Sequence, residues 1–162
     1  MALTNHSPRE RSLPEWARWQ PSEPYSIGVE EEVMILDPSD WTLAHETEEV
    51  FEELPAWLAS HAGAETHAAV IELTTDPHDD MAEAERELSA LRADLRDVLD
   101  RPGYRAAVAG THPRAEWSET QVSSGARYQL VYESMRELAR REPTFALHVH
   151  VGVPDAESAQ RL

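Results

Sequence analysis

Tyr25-Ser26-Ile27-Gly28-Val29-Glu30-Glu31-Glu32-Val33-Met34-Ile35-Leu36 reads as a β-strand, and the remaining chain falls into place around it. Side chains on a strand alternate faces. Tyr25, Ile27, Val29, Val33 and Ile35 therefore share one face, while Gly28, Glu30, Glu32, Met34 and Leu36 share the other. Glu30 and Glu32 point the same way, with Cα atoms about 7 Å apart at strand rise. Two ionised carboxylates about 4 Å apart at an effective dielectric near 20 repel by about 4 kcal/mol, so drawing them together calls for a cation. On spacing alone, two glutamates splayed into water are the ordinary reading of an acidic run. Glu31 falls on the apolar face, where it requires an arginine partner, a bulge or a break in the alternation.

The flanking sequence supplies further strands and helices. Residues 1–24, with Pro8, Pro14, Pro21 and Pro24, are expected to form an irregular leader that Trp16 and Trp19 dock onto the body. After the turn signal Asp37-Pro38-Ser39-Asp40, a short returning strand is expected over Trp41 to Ala44. An amphipathic helix through Val50, Phe51, Leu54, Trp57 and Leu58 follows, despite Pro55. A second strand is expected from Thr66 to Thr75, with Val70, Glu72 and Thr74 on one face. Met81, Ala84, Leu88, Leu91, Leu95 and Val98 recur at steps of three and four, one apolar stripe on a helix capped by Asp79 or Asp80 and ended by Pro102-Gly103. Arg105 to Gly110 is expected to be a short buried strand. Arg127 to Arg141 is expected to be a helix with Tyr128, Val131, Met135 and Leu138 as its inner stripe. Phe145 to Val153 closes the pattern as a strand with Phe145, Leu147, Val149, Val151 and Val153 on one face and Ala146, His148, His150 and Gly152 on the other. Acids or histidines thus occupy one face of three strands. An α+β fold is expected, mainly an antiparallel sheet with helices on one face and a polar ligand groove on the other.

Composition narrows the function classes. A chain of 162 residues is long enough for one domain. Its 31 acidic against 14 basic residues, a formal net charge of -17, argue against nucleic-acid or anionic-membrane partners. With no cysteine, disulfides, thiolate metal sites and cysteine nucleophiles are excluded. No signal-peptide pattern or long apolar run is seen, and a cytoplasmic location is expected.

Glu30, Glu32 and Glu72 suit a hard cation such as Mg²⁺ or Mn²⁺, which takes carboxylate oxygens and keeps waters for phosphates to replace. His148 and His150, at i and i+2, suit zinc instead, and with Glu72 they define a rival zinc-dependent hydrolase. Thr111-His112-Pro113 alone is a turn. Arg127, beside an aromatic in so acidic a chain, is a candidate anion clamp. No glycine-rich phosphate loop is present.

Gly28-Val29-Glu30-Glu31-Glu32, Val70-Ile71-Glu72-Leu73-Thr74-Thr75, Ala109-Gly110-Thr111-His112-Pro113, Ala126-Arg127-Tyr128 and His148-Val149-His150-Val151-Gly152-Val153 occur in the order and at about the spacing of the glutamate–cysteine ligase type 2 family, the carboxylate–amine ligases. The chain resembles that family from about Tyr25 onward. The resemblance implies a glutamine-synthetase-like fold and ATP-dependent joining of a small-molecule carboxylate to an amine. It implies metal-bound ATP over Glu30, Glu32 and Glu72, and Arg127 on a phosphate or carboxylate. His148 and His150, with Thr111 and His112, would lie near the nucleotide or amino acid. Ala68-Ala69 stands where some relatives carry a Glu-Ser pair, which leaves substrate choice open. Family chains are longer, so residues 25–162 are expected to be the N-terminal part of a catalytic domain. A non-catalytic fragment that binds its other half is the further alternative, and self-association into a homo-oligomer stays open.

Overall fold

The computed structural model describes residues 22–136, 138 and 144–161. Strand β1 (Ile27–Leu36) runs through the middle of a five-stranded antiparallel sheet with β2 (Ala62–Ala64), β3 (Val70–Thr74), β4 (Arg105–Ala107) and β5 (Leu147–Val151). One edge of β1 pairs with β3, from Glu30 opposite Thr74 to Met34 opposite Val70. The other edge is shared: β5 takes Ile27 to Glu31, and β4 takes Met34 to Leu36.

The period-two reading of β1 and β3 holds in packing from Val29 onward, whereas Tyr25, expected on the same face, precedes the strand at φ 65° and is exposed. Val29, Val33 and Ile35 join Ile71 and Leu73 under Ala84, Leu88, Leu91, Leu95 and Val98 of helix α3 (Met81–Asp100). Each buried leucine contributes about 2 kcal/mol relative to exposure. The Asp80 side chain caps α3 by accepting the Glu83 backbone N–H at 2.9 Å. Met81, the first residue of the expected stripe, stays 48% exposed in the first turn. Helices α1 (Thr47–Glu53) and α2 (Ala56–Ala59) cover the same face through Val50 and Leu58. The expected single helix is split, because Pro55 lacks an N–H and holds Leu54 in extended backbone, at ψ 130°.

Glu31 is resolved by its partner. It projects among the core residues at 4% exposure, and Arg92 of α3 grips it with two bonds, Nε donating to Oε2 at 2.6 Å and a terminal nitrogen to Oε1. A bidentate fork satisfies both carboxylate oxygens, and the Arg92 tip reaches water.

Other elements differ from the sequence expectations. Strand β3 starts at Val70, because the chain turns at His67, whose carbonyl accepts the Val70 N–H. Trp41 to Ala44 makes one bridge, Leu36 to Leu43, in place of a strand. Strand β4 ends at Ala107 and is largely exposed. Helix α4 (Ala126–Met135) buries no residue and stands on the groove side, so its apolar stripe is not an inner one. There the Tyr128 hydroxyl donates to the Ala64 carbonyl, and Val131 and Met135 face a hollow shared with Glu32, Glu65 and Val70. Phe145 leaves the alternation of β5 and packs with Met34, Leu36 and Val70 on the groove face. Leu147, Val149 and Val151 are more than half exposed, so β5 is held mainly by its pairing with β1. Gly152 has no room for a side chain, since a Cβ there would come 2.3 Å from the Glu23 carbonyl oxygen. Most of the expected leader, with Trp16 and Trp19, lies outside the described residues, as do residues 137 and 139–141 of the expected helix. Among the described residues no helix is long and apolar enough to cross a membrane.

Replacing Arg92 by Met should destabilise the fold by about 2–3 kcal/mol, below the 3–5 kcal/mol of a fully buried pair because water reaches the arginine. A Glu31→Leu, Arg92→Met double variant should recover most of that loss. Urea unfolding with unchanged m-values measures both.

Candidate active site

Strand register assembles the site. Glu32 stands opposite Glu72, and Glu30 opposite Thr74 on one side and His148 on the other, while His150 stands opposite Gly28. Glu30, Glu32, Glu72, His148 and His150 therefore project from the face turned away from α3. Glu30 is the point of contact between acids and imidazoles. Its Oε2 lies 3.3 Å from His148 Nδ1 and 3.0 Å from His150 Nε2, and one donor atom from each of the three residues lies within 4.8 Å of the others. The rival zinc set took Glu72 as its third ligand; the register brings Glu30 to the histidines instead. Glu32 Oε2 accepts the Ala146 backbone N–H at 3.0 Å, where β5 begins.

The carboxyls feel one another. Burial pushes Glu32 up from the ordinary value, the Ala146 N–H opposes this, and Glu65 and Glu30 add repulsion that His148 partly offsets. Glu72 is likewise pushed up by burial, then by Glu30, Glu65 and Glu32. Protons hold crowded carboxylates neutral where a cation would let them ionise. Carboxylate oxygens on a partly buried floor are the donor type of a hard divalent cation such as Mg²⁺ or Mn²⁺, but Glu30, Glu32 and Glu72 share the face without converging: the donor atoms that lie within 4.8 Å of one another in the groove are those of Glu30, His148 and His150.

Glu65 was not among the residues singled out in the sequence. It follows β2, whose Gly63 pairs with Glu72, and so shares that residue's side of the sheet. The signal was period two from Gly63 to Glu65, but Ala62-Gly63-Ala64 has too little strand propensity to show it.

Arg127 is exposed in the first turn of α4, its guanidinium carbon 5.8 Å from the centre of the Tyr128 ring. The Tyr128 hydroxyl is pushed up by burial and by Glu65, with Arg127 opposing and Glu72 adding. Thr111 bridges Thr144, and the Gly110 carbonyl accepts the Phe145 N–H, stitching this loop beside the start of β5. His112 is engaged on both ring nitrogens. Its Nδ1 accepts the Ala115 N–H at 2.8 Å, leaving Nε2 to donate to the Trp41 carbonyl at 2.8 Å. His112 thus lines a neighbouring hollow with His45, Glu119 and Thr120. The structure puts the three glutamates and two β5 histidines on one face, leaves Arg127 beside Tyr128 in the first turn of α4, and leaves Thr111 and His112 in the adjoining loop.

Residues 26–162 match the sequence profile of Glutamate-cysteine ligase family 2. The chain belongs to this family. A Sorangium cellulosum protein bearing the provisional name glutamate–cysteine ligase 2 is 36% identical over 140 residues, covering 85% of this chain and 37% of that protein. A Rubrobacter xylanophilus protein provisionally named glutamate–cysteine ligase 2-3 is 40% identical over 149 residues, covering 89% of this chain and 40% of that protein. The chain thus spans well under half the length of the curated relatives it matches. A crystal structure of glutamate–cysteine ligase from Francisella tularensis in complex with AMP superposes with a TM-score of 0.60 at 17% identity, over 88% of this chain and 30% of that one. At that identity the likeness concerns the fold, an α+β arrangement with an antiparallel sheet as expected.

The raised carboxyls fix a pH dependence. In the unfolded chain Glu32 and Glu72 titrate near 4.5, and in the folded chain they hold their protons to higher pH. The folded state binds more protons in that window, so the stability these groups contribute is full below 4.5 and is lost as pH rises through the raised values. Glu32→Gln and Glu72→Gln should each flatten that slope and raise the melting temperature above the window, as measured by thermal unfolding against pH without divalent ions. A lower melting temperature in both variants would make these acids structural.

Proposed function

We propose that this chain is the N-terminal part of the catalytic domain of an ATP-dependent carboxylate–amine ligase, of the kind that joins the γ-carboxyl of glutamate to cysteine or a similar amine. The observation that carries the proposal is the meeting of Glu30, Glu32 and Glu72 on one face of an antiparallel sheet, their carboxyls crowded, in a chain of Glutamate-cysteine ligase family 2. The AMP held by the Francisella tularensis ligase supports a nucleotide ligand.

A carboxylate is a poor electrophile at neutral pH and must be activated before an amine attacks it. Its oxygen attacks the γ-phosphorus of ATP, the bond to ADP breaks, and an acyl phosphate forms. The amine then attacks the acyl carbon, phosphate leaves, and the amine gives up its proton. Glu30, Glu32 and Glu72 would hold Mg²⁺ or Mn²⁺ against the phosphates. Bound there, the cation supplies the positive charge that neutralises and orients the transferred phosphoryl. Arg127, exposed beside Tyr128 in the first turn of α4, would clamp a carboxylate or phosphate. Glu30 orients His148 and His150 toward the nucleotide or amino acid, and Thr111 and His112 form the adjoining edge. The share of its relatives that the chain covers, and the exposed Leu147, Val149 and Val151 of β5, support a partial domain completed by further chain or by a second copy.

The Glu30–His148–His150 group favours one other reading, a zinc-dependent hydrolase. Metal analysis of the chain and of its His148→Ala, His150→Ala variant, both purified without added metal, separates the two, since only zinc lost with these histidines belongs to the hydrolase. Calorimetric titration of the chain with ATP at millimolar Mg²⁺ tests the ligase. Saturable binding is expected, weakened about tenfold or more in Glu32→Gln or Glu72→Gln, as befits loss of a charged contact. An absence of ATP affinity both in this chain and in a protein that carries it with the remainder of the domain would remove the ligase reading.

A further inference from the structure

A second group of metal-binding side chains lies outside the groove, where β3 turns into α3. One donor atom each from His61, Asp76 and Glu87 lies within 4.8 Å of the others. His78 adjoins this group through Glu87 alone, with Nε2 2.5 Å from Glu87 Oε2, at the short limit for a hydrogen bond. The four residues come from three places in the chain: the segment between α2 and β2, the turn after β3, and the second turn of α3.

We propose that His61, Asp76, His78 and Glu87 form a structural site for a transition-metal ion of the zinc type, separate from the hard-cation site in the groove. The donor chemistry separates the two sites. Two imidazoles with two carboxylates match zinc, cobalt or nickel, whereas Mg²⁺ prefers oxygen donors and retained water. The backbone fixes both histidines. His61 O accepts the Thr74 N–H at 2.8 Å, and His78 exchanges two backbone hydrogen bonds with Ile27 at 2.7 and 2.8 Å. The side chains of His61, His78 and Glu87 are 17–22% exposed, shielded from bulk water yet open to an entering ion. Charge points the same way: Asp76 and Glu87 bring two negative charges, and Arg86, one residue along α3, is turned to Glu83.

In a tetrahedral zinc site with bonds of about 2.0–2.1 Å, neighbouring donor atoms stand about 3.3 Å apart. His78 and Glu87 need to separate by less than 1 Å to reach that spacing, a rotation of partly exposed side chains. Metal bound here ties the end of β3, which carries Glu72, to α3 and to the start of β2. Its role is to brace the sheet, with no part in the chemistry of the groove.

The test uses the 162-residue chain carrying His148→Ala and His150→Ala, so that the groove imidazoles are gone, stripped of metal and titrated with Zn²⁺ by calorimetry and with Co²⁺ by visible absorption. One equivalent of each metal is expected, with a Co²⁺ spectrum showing nitrogen ligation and a melting temperature raised by Zn²⁺. Asp76→Asn, at an exposed side chain, should weaken Zn²⁺ binding by about tenfold or more with the circular dichroism unchanged. His61→Ala should abolish it. No saturable Zn²⁺ binding in the histidine-stripped background would overturn the proposal, as would an affinity unchanged by Asp76→Asn. Either result would leave the His78–Glu87 contact as a simple clamp on the turn. Should His61→Ala fail to fold, Asp76→Asn decides alone.

Discussion

Three consecutive glutamates cannot lie on one side of a β-sheet, and the fold of this chain depends on where the middle one goes. Period two sends Glu30 and Glu32 outward only if Glu31 turns inward, among Val29, Val33 and the apolar stripe of α3. An unpaired carboxylate there would cost several kcal/mol, enough to favour a slip of register by one residue. Arg92 removes that incentive. Because it sits on the helix that packs against β1, one ion pair fixes the register of the strand and the rotation of α3 together.

Once β1 is set, its neighbours inherit their facing from it. Glu72 is delivered by pairing with Glu32, and the histidines of β5 by pairing with Glu30 and Gly28. Residues far apart in the chain thus meet without any loop having to place them. Burial, joined by repulsion from neighbouring glutamates, raises the carboxyls of Glu32 and Glu72 on the floor of the groove.

The legible part of the sequence was the part governed by strong periodicity. The two faces of β1 and β3, the stripe and Asp80 cap of α3, and the shared facing of Glu30, Glu32, Glu72, His148 and His150 all follow from periods of two and 3.6 residues. Arg92 could not be picked out, because its partner is 61 residues away and nothing local marks it. Glu65 was hidden by a strand of alanine and glycine. The break at Pro55 was a local rule that the apolar pattern appeared to override and did not. Helix α4 shows the limit of pattern in the other direction, since an amphipathic stripe tells which side is apolar and says nothing of what it packs against.

The two sides of the groove are built to different standards of rigidity. Glu30, Glu32 and Glu72 ride on strands whose reverse faces are sealed by Ile71, Leu73 and Val33, each at 2% exposure or less. His148 and His150 ride on β5, whose reverse face is open, so parting it from β1 costs hydrogen bonds but little apolar burial. The groove is therefore backed by a sealed core on its carboxylate side and by backbone pairing alone on its imidazole side, down to Gly152, whose N–H and carbonyl bond Ser26 and Tyr25. Local opening of the sheet would thus begin on the imidazole side, where the least apolar surface is lost.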